Sequence, residues 1–466
     1  MSIVYCGICP HPPIAVPEVG REESKKVVAT QQALVELGRR VKQSGAETVV
    51  IISPHAPLFR DVIAINRVPE LIGDLASFRA GELKFRLNND QLLADSINGQ
   101  AAGLGIDILD LNEDIEEIYD INLDLDHGVT VPLYFLQKGG VDLPFVHVSM
   151  AIAPVEKLYL FGLAVRRAAE SLGRKVALLA SGDLSHGLTK DAPGGYLPRG
   201  KEFDEELVRL LSIPDIEGVL KMDQSLVQLA GECGYRSIVM MLGALDGYGV
   251  KAEILSYEGP FGVGYMVASL EPSGENMAQS ILAKMEDEQK NKIALRRAEE
   301  SFLVRVARET LERHVKGEPP VDVSGVPDEF KKRAGVFVSI KKRGSLRGCI
   351  GTITPTKRSI AEEVAANAIS AGINDPRFQP VGQEELADLE YSVDVLQPPR
   401  PVKSYDELDP KKYGVIVRTG LRSGLLLPNL EGVDTVEEQV SIARQKAGIK
   451  EYEQAELERF EVTRYK

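Results

Sequence analysis

The sequence predicts a mixed α/β fold for the amino-terminal part of the chain, followed by a separate α+β domain. In the first part, apolar β-branched runs such as residues 48–53 and 176–181 alternate with helix-like segments such as residues 155–172. This alternation is typical of a mostly parallel or mixed sheet with helices on both faces. A turn-rich segment begins at residue 271, and the pattern then changes to hairpins and isolated helices.

The other elements of the first domain follow the same patterns. An apolar run that ends at Gly or Pro indicates a buried strand, whereas apolar residues three or four positions apart indicate a helix with one buried face. The remaining predicted strands are residues 62–66, 83–87, 145–150 and 262–270, and the other predicted helices are residues 21–44 and 237–245.

A charged segment separates the two domains. Residues 284–292 are rich in Lys, Asp and Glu and predict a solvated linker helix. We expect domains at residues 1–270 and 293–466, joined by a linker at residues 271–292. In the second domain the predicted helices are residues 296–315, 359–371 and 436–447. One predicted hairpin pairs residues 335–342 with residues 346–353 through a turn at residues 343–345. A second predicted hairpin pairs residues 413–419 with residues 425–427.

Composition limits the classes of function. The chain has 466 residues and a net charge of −14, which argues against a nucleic-acid-binding surface. No run approaches the ~20 apolar residues of a membrane span, and 4 cysteines are too few for a disulfide framework. Cys6 and Cys9 have CxxC spacing but lack a second pair, so we expect no zinc there. These features predict a cytoplasmic protein that binds neither membranes nor nucleic acid.

Histidines in short motifs are the main functional signal. Of the 6 histidines, His11, His55, His127 and His186 stand in motifs rich in Gly, Pro, Ser and Asp, and all but His127 follow an apolar run. We expect them where strands emerge from the sheet, the edge at which open α/β sheets bind ligands. Because imidazole is a common metal ligand and general base, the set predicts a metal site with acid–base groups. The alternative is separate histidines in ordinary surface turns.

A site with two histidine ligands needs a further protein ligand, commonly a carboxylate. Glu232 and Cys233 are adjacent candidates just before a predicted helix, whose amino-terminal partial charge stabilises an anion. Neighbouring side chains diverge, so both do not easily enter one site. We favour Glu232, because its harder oxygen donor suits Fe(II). The alternative is that Glu232 only begins the helix and Cys233 is a small buried hydrophobe.

The remaining histidines differ in their predicted roles. His186 is better placed as a base than as a ligand, and Asp183, three residues earlier, would orient its ring. We expect His127 to hydrogen-bond the substrate or a metal-bound species. His147 lies inside an apolar run and is predicted to be a satisfied core residue.

Together these motifs resemble the LigB-type class III extradiol dioxygenase superfamily, and within it the Memo family, over roughly residues 1–270. The resemblance rests on the early His11, the Ser-Pro-His55 turn, Asp126-His127-Gly128, the loop ending at His186 and the Cys233-Gly234 helix start. It implies Fe(II) bound by His11, His55 and Glu232, with His186 as acid–base and a small, aromatic substrate. Memo-type members carry a cysteine in the third-ligand region, which matches Cys233. The resemblance therefore also allows another divalent metal, copper or zinc.

From about residue 293 the chain resembles the AMMECR family. The matching segments are Leu346–Gly351, Asp375–Phe378 and Gly424–Pro428, and the motif residues are Arg347, Gly348, Cys349, Gly351, Asp375 and Arg377. The glycines allow a ligand or another chain to approach closely, whereas the alternative is a tightly packed hairpin with a structural ion pair. The two resemblances together correspond to the fused form of the AmmeMemoRadiSam system, which implies a radical SAM partner.

These observations favour a metal-dependent, dioxygenase-like oxidoreductase that acts on a small-molecule substrate. Two alternatives stay open at this point: a metal-binding adaptor without turnover, and a metal-dependent hydrolase. The sequence does not separate them, because one fold hosts unrelated chemistries.

Overall fold

A computed structural model describes residues 1–60, 62–323, 325–342, 345–430 and 432–466. Residues 343 and 344, in the predicted hairpin turn, lie outside the described residues. The chain divides into two compact units, Met1–Met285 and Glu286–Lys466. No helix among the described residues is long and apolar enough to cross a membrane.

The first unit alternates strands and helices. Its strands are β1 (Ile3–Cys9), β2 (Thr48–Ser53), β3 (Ile63–Asn66), β4 (Glu70–Leu75), β5 (Ala80–Asn88), β6 (Ile108–Leu111), β7 (Phe145–Ser149), β8 (Val176–Ser181), β9 (Tyr248–Glu258) and β10 (Tyr265–Glu275). Its helices are α1 (Pro17–Gly20), α2 (Val28–Gln43), α3 (Gln91–Gly103), α4 (Glu113–Tyr119), α5 (His127–Lys138), α6 (Val155–Leu172), α7 (Gly200–Ser212), α8 (Ile216–Leu220), α9 (Gln224–Ala230) and α10 (Tyr235–Gly243).

The main sheet confirms the predicted mixed α/β class. Its strand order is β6-β3-β7-β2-β8-β1-β10-β9. The central strands β7, β2, β8 and β1 run parallel, and β10 and β9 are antiparallel. Alternate residues of β2 enter different cores: Val50 and Ile52 pack with α6 and α10, whereas Val49 and Ile51 pack with α2 and α5. Helices therefore cover both faces, and this explains why the central strands are apolar throughout.

The second unit has the predicted α+β character. Its strands are β11 (Val336–Lys342), β12 (Ser345–Thr352), β13 (Leu389–Leu396), β14 (Arg400–Val402), β15 (Gly414–Thr419), β16 (Arg422–Leu426), β17 (Glu456–Phe460) and β18 (Val462–Tyr465). They form two small antiparallel sheets, β12-β11-β13-β18 and β14-β17-β15-β16. The remaining helices are α11 (Ile281–Glu299), which contains the boundary between the units, α12 (Phe302–Lys316), α13 (Ile360–Ile373) and α14 (Val436–Ala447).

Several local predictions were wrong, among them the turn-rich segment expected from residue 271, where β10 continues to Glu275. The predicted helix at residues 296–315 is divided between α11 and α12, because Ser301 has extended backbone angles and starts a new helix. His127 was expected where a strand leaves the sheet, but it follows α4 in the chain and is the first residue of α5. Asp126 caps this helix by accepting a hydrogen bond from the Gly128 N–H, and the sequence analysis missed the helix.

Candidate metal centre

Three adjacent parallel strands bring the candidate histidines to one edge of the sheet. The order β2-β8-β1 places these strands side by side, and Cys9 at the end of β1 pairs with Ser181 at the end of β8. His11, His55 and His186 follow the ends of β1, β2 and β8, respectively. The carboxyl ends of parallel strands meet at one edge, so the three loops converge there.

His11 is the buried member of the cluster, with 2% of its surface exposed. Its Nδ1 lies 2.8 Å from Ser181 Oγ, and the Ser181 hydroxyl donates its hydrogen to the Gly128 carbonyl. Ser181 therefore accepts a hydrogen bond from Nδ1–H, which leaves a lone pair on Nε2. That Nε2 lies 3.0 Å from His55 Nε2 and 3.6 Å from Cys233 Sγ.

His11, His55 and Cys233 form a group that can hold a metal, with ligand atoms within 4.8 Å of one another. Two ligand atoms about 2.1 to 2.3 Å from one ion at the tetrahedral angle would lie ~3.4 to 3.6 Å apart. The 3.0 and 3.6 Å separations around His11 Nε2 are close to these values. Two imidazoles and one thiolate are also suitable donors for a transition metal, so the residues fit an ion.

The structure does not bring Glu232 into this group. Its side chain is 3% exposed, and Oε2 accepts a hydrogen bond of 2.6 Å from the Tyr235 N–H at the start of α10. Oε1 lies 3.9 Å from an Arg236 guanidinium nitrogen. Burial raises the pKa of Glu232 to about 7, although the Tyr235 N–H and Arg236 oppose that rise. The geometry thus favours Cys233 over Glu232 as third ligand, because the two neighbouring side chains diverge as expected.

His186 and His127 lie beside this group. His186 Nε2 is 3.7 Å from Cys233 Sγ. The His127 ring stacks on that of His55, with centroids 4.3 Å apart and planes 26° apart, and the edge of Phe78 lies against His127 at a centroid distance of 5.5 Å. All four motif histidines therefore meet at one place, and for His11, His55 and His186 the strand-end pattern predicted it.

Asp183 has a different place from the predicted one. Its Oδ1 accepts the His11 backbone N–H at 2.9 Å, and its own N–H donates to Cys233 Sγ at 3.3 Å. Its carbonyl accepts the backbone N–H groups of Cys233 and Gly234. Asp183 therefore positions the main chain at His11 and at Cys233, and its carboxylate accepts no hydrogen bond from the His186 ring among the described residues.

The local electrostatics keep the imidazoles neutral. Burial, followed by the neighbouring His55 and His127, holds the pKa of His11 well below its ordinary value. Burial also lowers the pKa of His55, His127 and His186. Burial raises the pKa of the Cys233 thiol well above its usual range. Neutral imidazoles are ready to bind a metal, whereas the thiol must first lose its proton.

Sequence reasoning missed the residues that join these loops. The Ser53 hydroxyl donates to Asp126 Oδ1 at 2.7 Å, and Ser181 joins His11 to Gly128. Ser53 and Asp126 directly precede the Pro-His55 and His127 motifs. That adjacency was the available signal, since outer-shell hydrogen bonds usually orient metal-binding histidines.

The charged residues of the carboxyl-terminal motif are paired within the protein instead. Arg347 makes two hydrogen bonds to Glu385, at 3.0 and 2.9 Å, and Asp375 makes the predicted pair with Arg377. The Cys349 N–H donates to Asp375 Oδ2 at 2.9 Å, and its carbonyl accepts from Arg377 at 3.2 Å. These contacts close the outer edge of β12.

The glycines of the same motif face the protein itself. A Cβ on Gly348 would lie 2.1 Å from the Ala371 carbonyl oxygen, and one on Gly351 would lie 2.2 Å from the Phe337 ring. The space beside the two glycines is therefore occupied by α13 and β11 of the protein itself. The described part of the motif matches the tightly packed hairpin with a structural ion pair.

Comparison with known proteins supports both resemblances. Residues 5–268 match the family described as the catalytic LigB subunit of aromatic ring-opening dioxygenase, and residues 304–466 match AMMECR1. A protein from Clostridium acetobutylicum is 44% identical over 469 residues, which cover 100% of both chains. A protein from Thermotoga maritima is 60% identical over 144 residues, covering 30% of this chain and 83% of its own. The crystal structure of a Pyrococcus horikoshii protein shares 32% identity, covers 35% of this chain and 88% of its own, and has a TM-score of 0.33.

Proposed function

The chain belongs to the LigB family through residues 5–268 and carries an AMMECR1 domain at residues 304–466, and from this membership and the site geometry we propose that its amino-terminal unit is a metal-dependent, dioxygenase-like enzyme. The proposed ligands are His11, His55 and Cys233. The observation that carries the proposal is the convergence of their ligand atoms within 4.8 Å at the edge of the sheet.

The donor set supports a divalent ion. Two neutral imidazoles and one thiolate offset a single positive charge, as two histidines and a carboxylate would. We propose Fe(II), from the family, although a thiolate also suits zinc and copper. A bound ion of this kind acts as a Lewis acid and lowers the pKa of an oxygen atom bound to it.

The neighbouring histidines supply the remaining chemistry. His186 is half-buried, and because burial lowers its pKa it is neutral at pH 7 and can accept a proton from the substrate. His127 lies against His55 and can hydrogen-bond a small molecule placed over the cluster. Phe78 adds an apolar edge beside His127, which suits a small and partly aromatic substrate.

The role of the second unit follows from the resemblance alone. The fused arrangement of the two domains implies a protein of the radical SAM class as a partner. That partnership stays a prediction, and copurification of the full chain with such a protein from cells would test it.

Metal analysis tests the proposed site without knowledge of the substrate. Anaerobically purified full-length protein should bind one Co(II) or Fe(II) ion, and Co(II) should give a sulfur-to-metal charge-transfer band. His11→Ala, His55→Ala and Cys233→Ser should each weaken binding by roughly 100-fold or more while circular dichroism stays unchanged, because each removes one directly bound atom.

Glu232→Gln is the matched control. It lies next to Cys233 and keeps the shape of the helix cap, so it should retain metal and the charge-transfer band. Loss of metal in Glu232→Gln together with full retention in Cys233→Ser would reverse the ligand assignment. Full retention in both histidine variants would refute the site.

A further inference from the structure

One carboxylate joins the loops that carry the clustered histidines. Asp126 Oδ1 accepts hydrogen bonds from the Ser53 hydroxyl and from the Gly128 N–H, each at 2.7 Å. Ser53 Oγ in turn accepts the His55 N–H at 3.2 Å. Because Asp126 also caps the helix that begins at His127, it determines the positions of two of the histidine loops.

The same network extends to the third histidine loop. The Gly128 carbonyl accepts the Ser181 hydroxyl hydrogen, and Ser181 Oγ accepts the Nδ1–H of His11 at 2.8 Å. A shift of Asp126 would therefore move Gly128 and, through Ser181, change the direction of His11 Nε2. Outer-shell hydrogen bonds of this type commonly control the affinity of a metal site.

The second oxygen of this carboxylate faces a buried histidine. His147 lies in β7 with 2% of its surface exposed, and its Nε2 is 3.3 Å from Asp126 Oδ2. Within the described parts of the chain, neither Asp126 Oδ2 nor either ring nitrogen of His147 has a hydrogen bond of good geometry. His147 therefore differs from the satisfied core residue that its apolar strand predicted. A buried polar group without a partner lowers the stability of the fold, so an interaction between Asp126 and His147 is favoured.

We propose that His147 is a positioning residue for the metal centre, which holds the Asp126 carboxylate and through it the loops of His11, His55 and His127. The inference rests on the proposed function, because it concerns the same site. An N–H on His147 Nε2 would donate to Asp126 Oδ2 and prevent the carboxylate from rotating away from Ser53 and Gly128. His147 acts through Asp126 and needs no contact with metal or substrate.

The electrostatics of Asp126 agree with this role. Burial raises the pKa of Asp126. Contact with His147 and the hydrogen bond from Ser53 lower this pKa by more than burial raises it, so it lies well below the usual range. The carboxylate thus stays ionised throughout the neutral range and accepts from both loops. Hydrogen bonds to a charged acceptor are stronger than neutral ones, which suits a group that holds several loops together.

Cobalt binding to the full-length protein tests the proposal. His147→Leu removes the ring N–H and should weaken Co(II) binding by about 10- to 100-fold, the usual effect of losing an outer-shell partner. Its visible Co(II) spectrum should also shift, because the ligand directions change. His147→Gln retains an N–H donor and should recover most of the affinity.

Thr48→Val is the matched control for lost stability. Thr48 is fully buried on the neighbouring strand β2, and its hydroxyl donates to Asp90 at 2.6 Å, outside the Asp126 network. This variant should lower the melting temperature and leave Co(II) affinity and spectrum unchanged. If His147→Leu behaves like Thr48→Val, the role of His147 is merely structural and the proposal is overturned.

A double-mutant cycle tests the route through Asp126. If His147 acts through this carboxylate, the His147→Leu, Asp126→Asn double variant should bind Co(II) no more weakly than Asp126→Asn alone. Additive losses would overturn the proposal. Should His147→Leu fail to fold, His147→Met, which also lacks an N–H donor, completes the same cycle. A wild-type protein that binds no Co(II) would instead overturn the proposed function, and the inference with it.

Discussion

The two motif-bearing regions of this chain use their polar residues in opposite ways. At the amino-terminal centre, His11, His55 and Cys233 direct their ligand atoms at one another within 4.8 Å. In the carboxyl-terminal unit, Arg347 and Asp375 are paired with protein groups of opposite charge or with backbone N–H groups. Clustered metal-ligating atoms without opposite charges between them indicate a ligand site, whereas charged residues that are paired within the protein stabilise a fold.

The place of each motif in its sheet explains the difference. His11, His55 and His186 follow the carboxyl ends of adjacent parallel strands, where the chain leaves the sheet and side chains converge. The Cys349 motif instead lies along β12, which is an edge strand of its four-stranded sheet. An exposed strand edge favours association with other chains, so covering it with Asp375 and Arg377 has a structural purpose.

The largest expected effect tests whether the histidine cluster is catalytic. His186→Ala should retain the metal and still bind a chelator such as a catechol, because the proposed ligands are untouched. Turnover should fall by roughly 10²- to 10⁴-fold, the usual contribution of a positioned acid–base group. Metal content, chelator titration and oxygen consumption measure these three properties.

His314→Ala provides the control for that prediction, since His314 lies on α12 in the other unit. It should change none of the three properties. Loss of metal from His186→Ala would mean that His186 is a ligand, and the division of roles among the histidines would then be wrong. Unchanged turnover would favour an adaptor or a different base.

The next effect concerns the carboxyl-terminal motif. Arg347 and Glu385 have side chains that are each 13% exposed, and Lys342 also contacts Glu385 at 3.0 Å. Arg347→Met leaves Glu385 with Lys342 alone and should lower the free energy of unfolding of this unit by about 2 to 3 kcal/mol, less than the full loss of a buried pair. Denaturant unfolding followed by circular dichroism measures the change.

Arg422→Met is the comparison for an exposed pair. Arg422 contacts Glu453 with side chains 45% and 25% exposed, so its removal should cost less than about 1 kcal/mol. Neither variant should change Co(II) binding. If Arg347→Met left stability unchanged, the motif would have a role other than structural, and the contrast between the two regions would fail.

The sequence was sufficient for the elements with strong periodic signals. The predicted strands at residues 48–53 and 176–181 and the predicted helix at residues 155–172 match β2, β8 and α6. α5 was missed because its residues 128–136 are all buried and include Pro132, so it shows neither a polar face nor the usual composition of a helix. Its stability comes from packing in the folded unit, which periodicity does not report.

The sequence predicted which loops form the candidate site, but not which side-chain atoms point into it. Strand ends predicted that His11, His55 and His186 would meet, because topology alone brings them together. The choice between Glu232 and Cys233 depends on the direction of each side chain where α10 begins, and adjacent residues carry no signal for it. Asp183 likewise has a partner, the His11 backbone, that is distant in sequence.

The smallest expected effect is the number of protons released when the metal binds, which distinguishes Cys233 from Glu232 as the third ligand. At pH 7 the histidines are neutral because their pKa values are lowered, and the Cys233 thiol is protonated because its pKa is raised. Metal binding should therefore release one proton, and Co(II) affinity should rise about tenfold per pH unit above pH 7, since the ligand must be deprotonated. Cys233→Ser should lose this slope.

Glu232 as the ligand would give a different profile. Its pKa is about 7, so a carboxylate ligand would release a proton only below about pH 7, and affinity would become level above that pH. Competition titrations with buffered Co(II) between pH 6 and 9 would show which profile holds. A level profile above pH 7 in the wild type would transfer the third-ligand role to Glu232. A slope of one that disappears in Cys233→Ser would assign it to the thiolate, because no other proposed ligand carries a proton in that range.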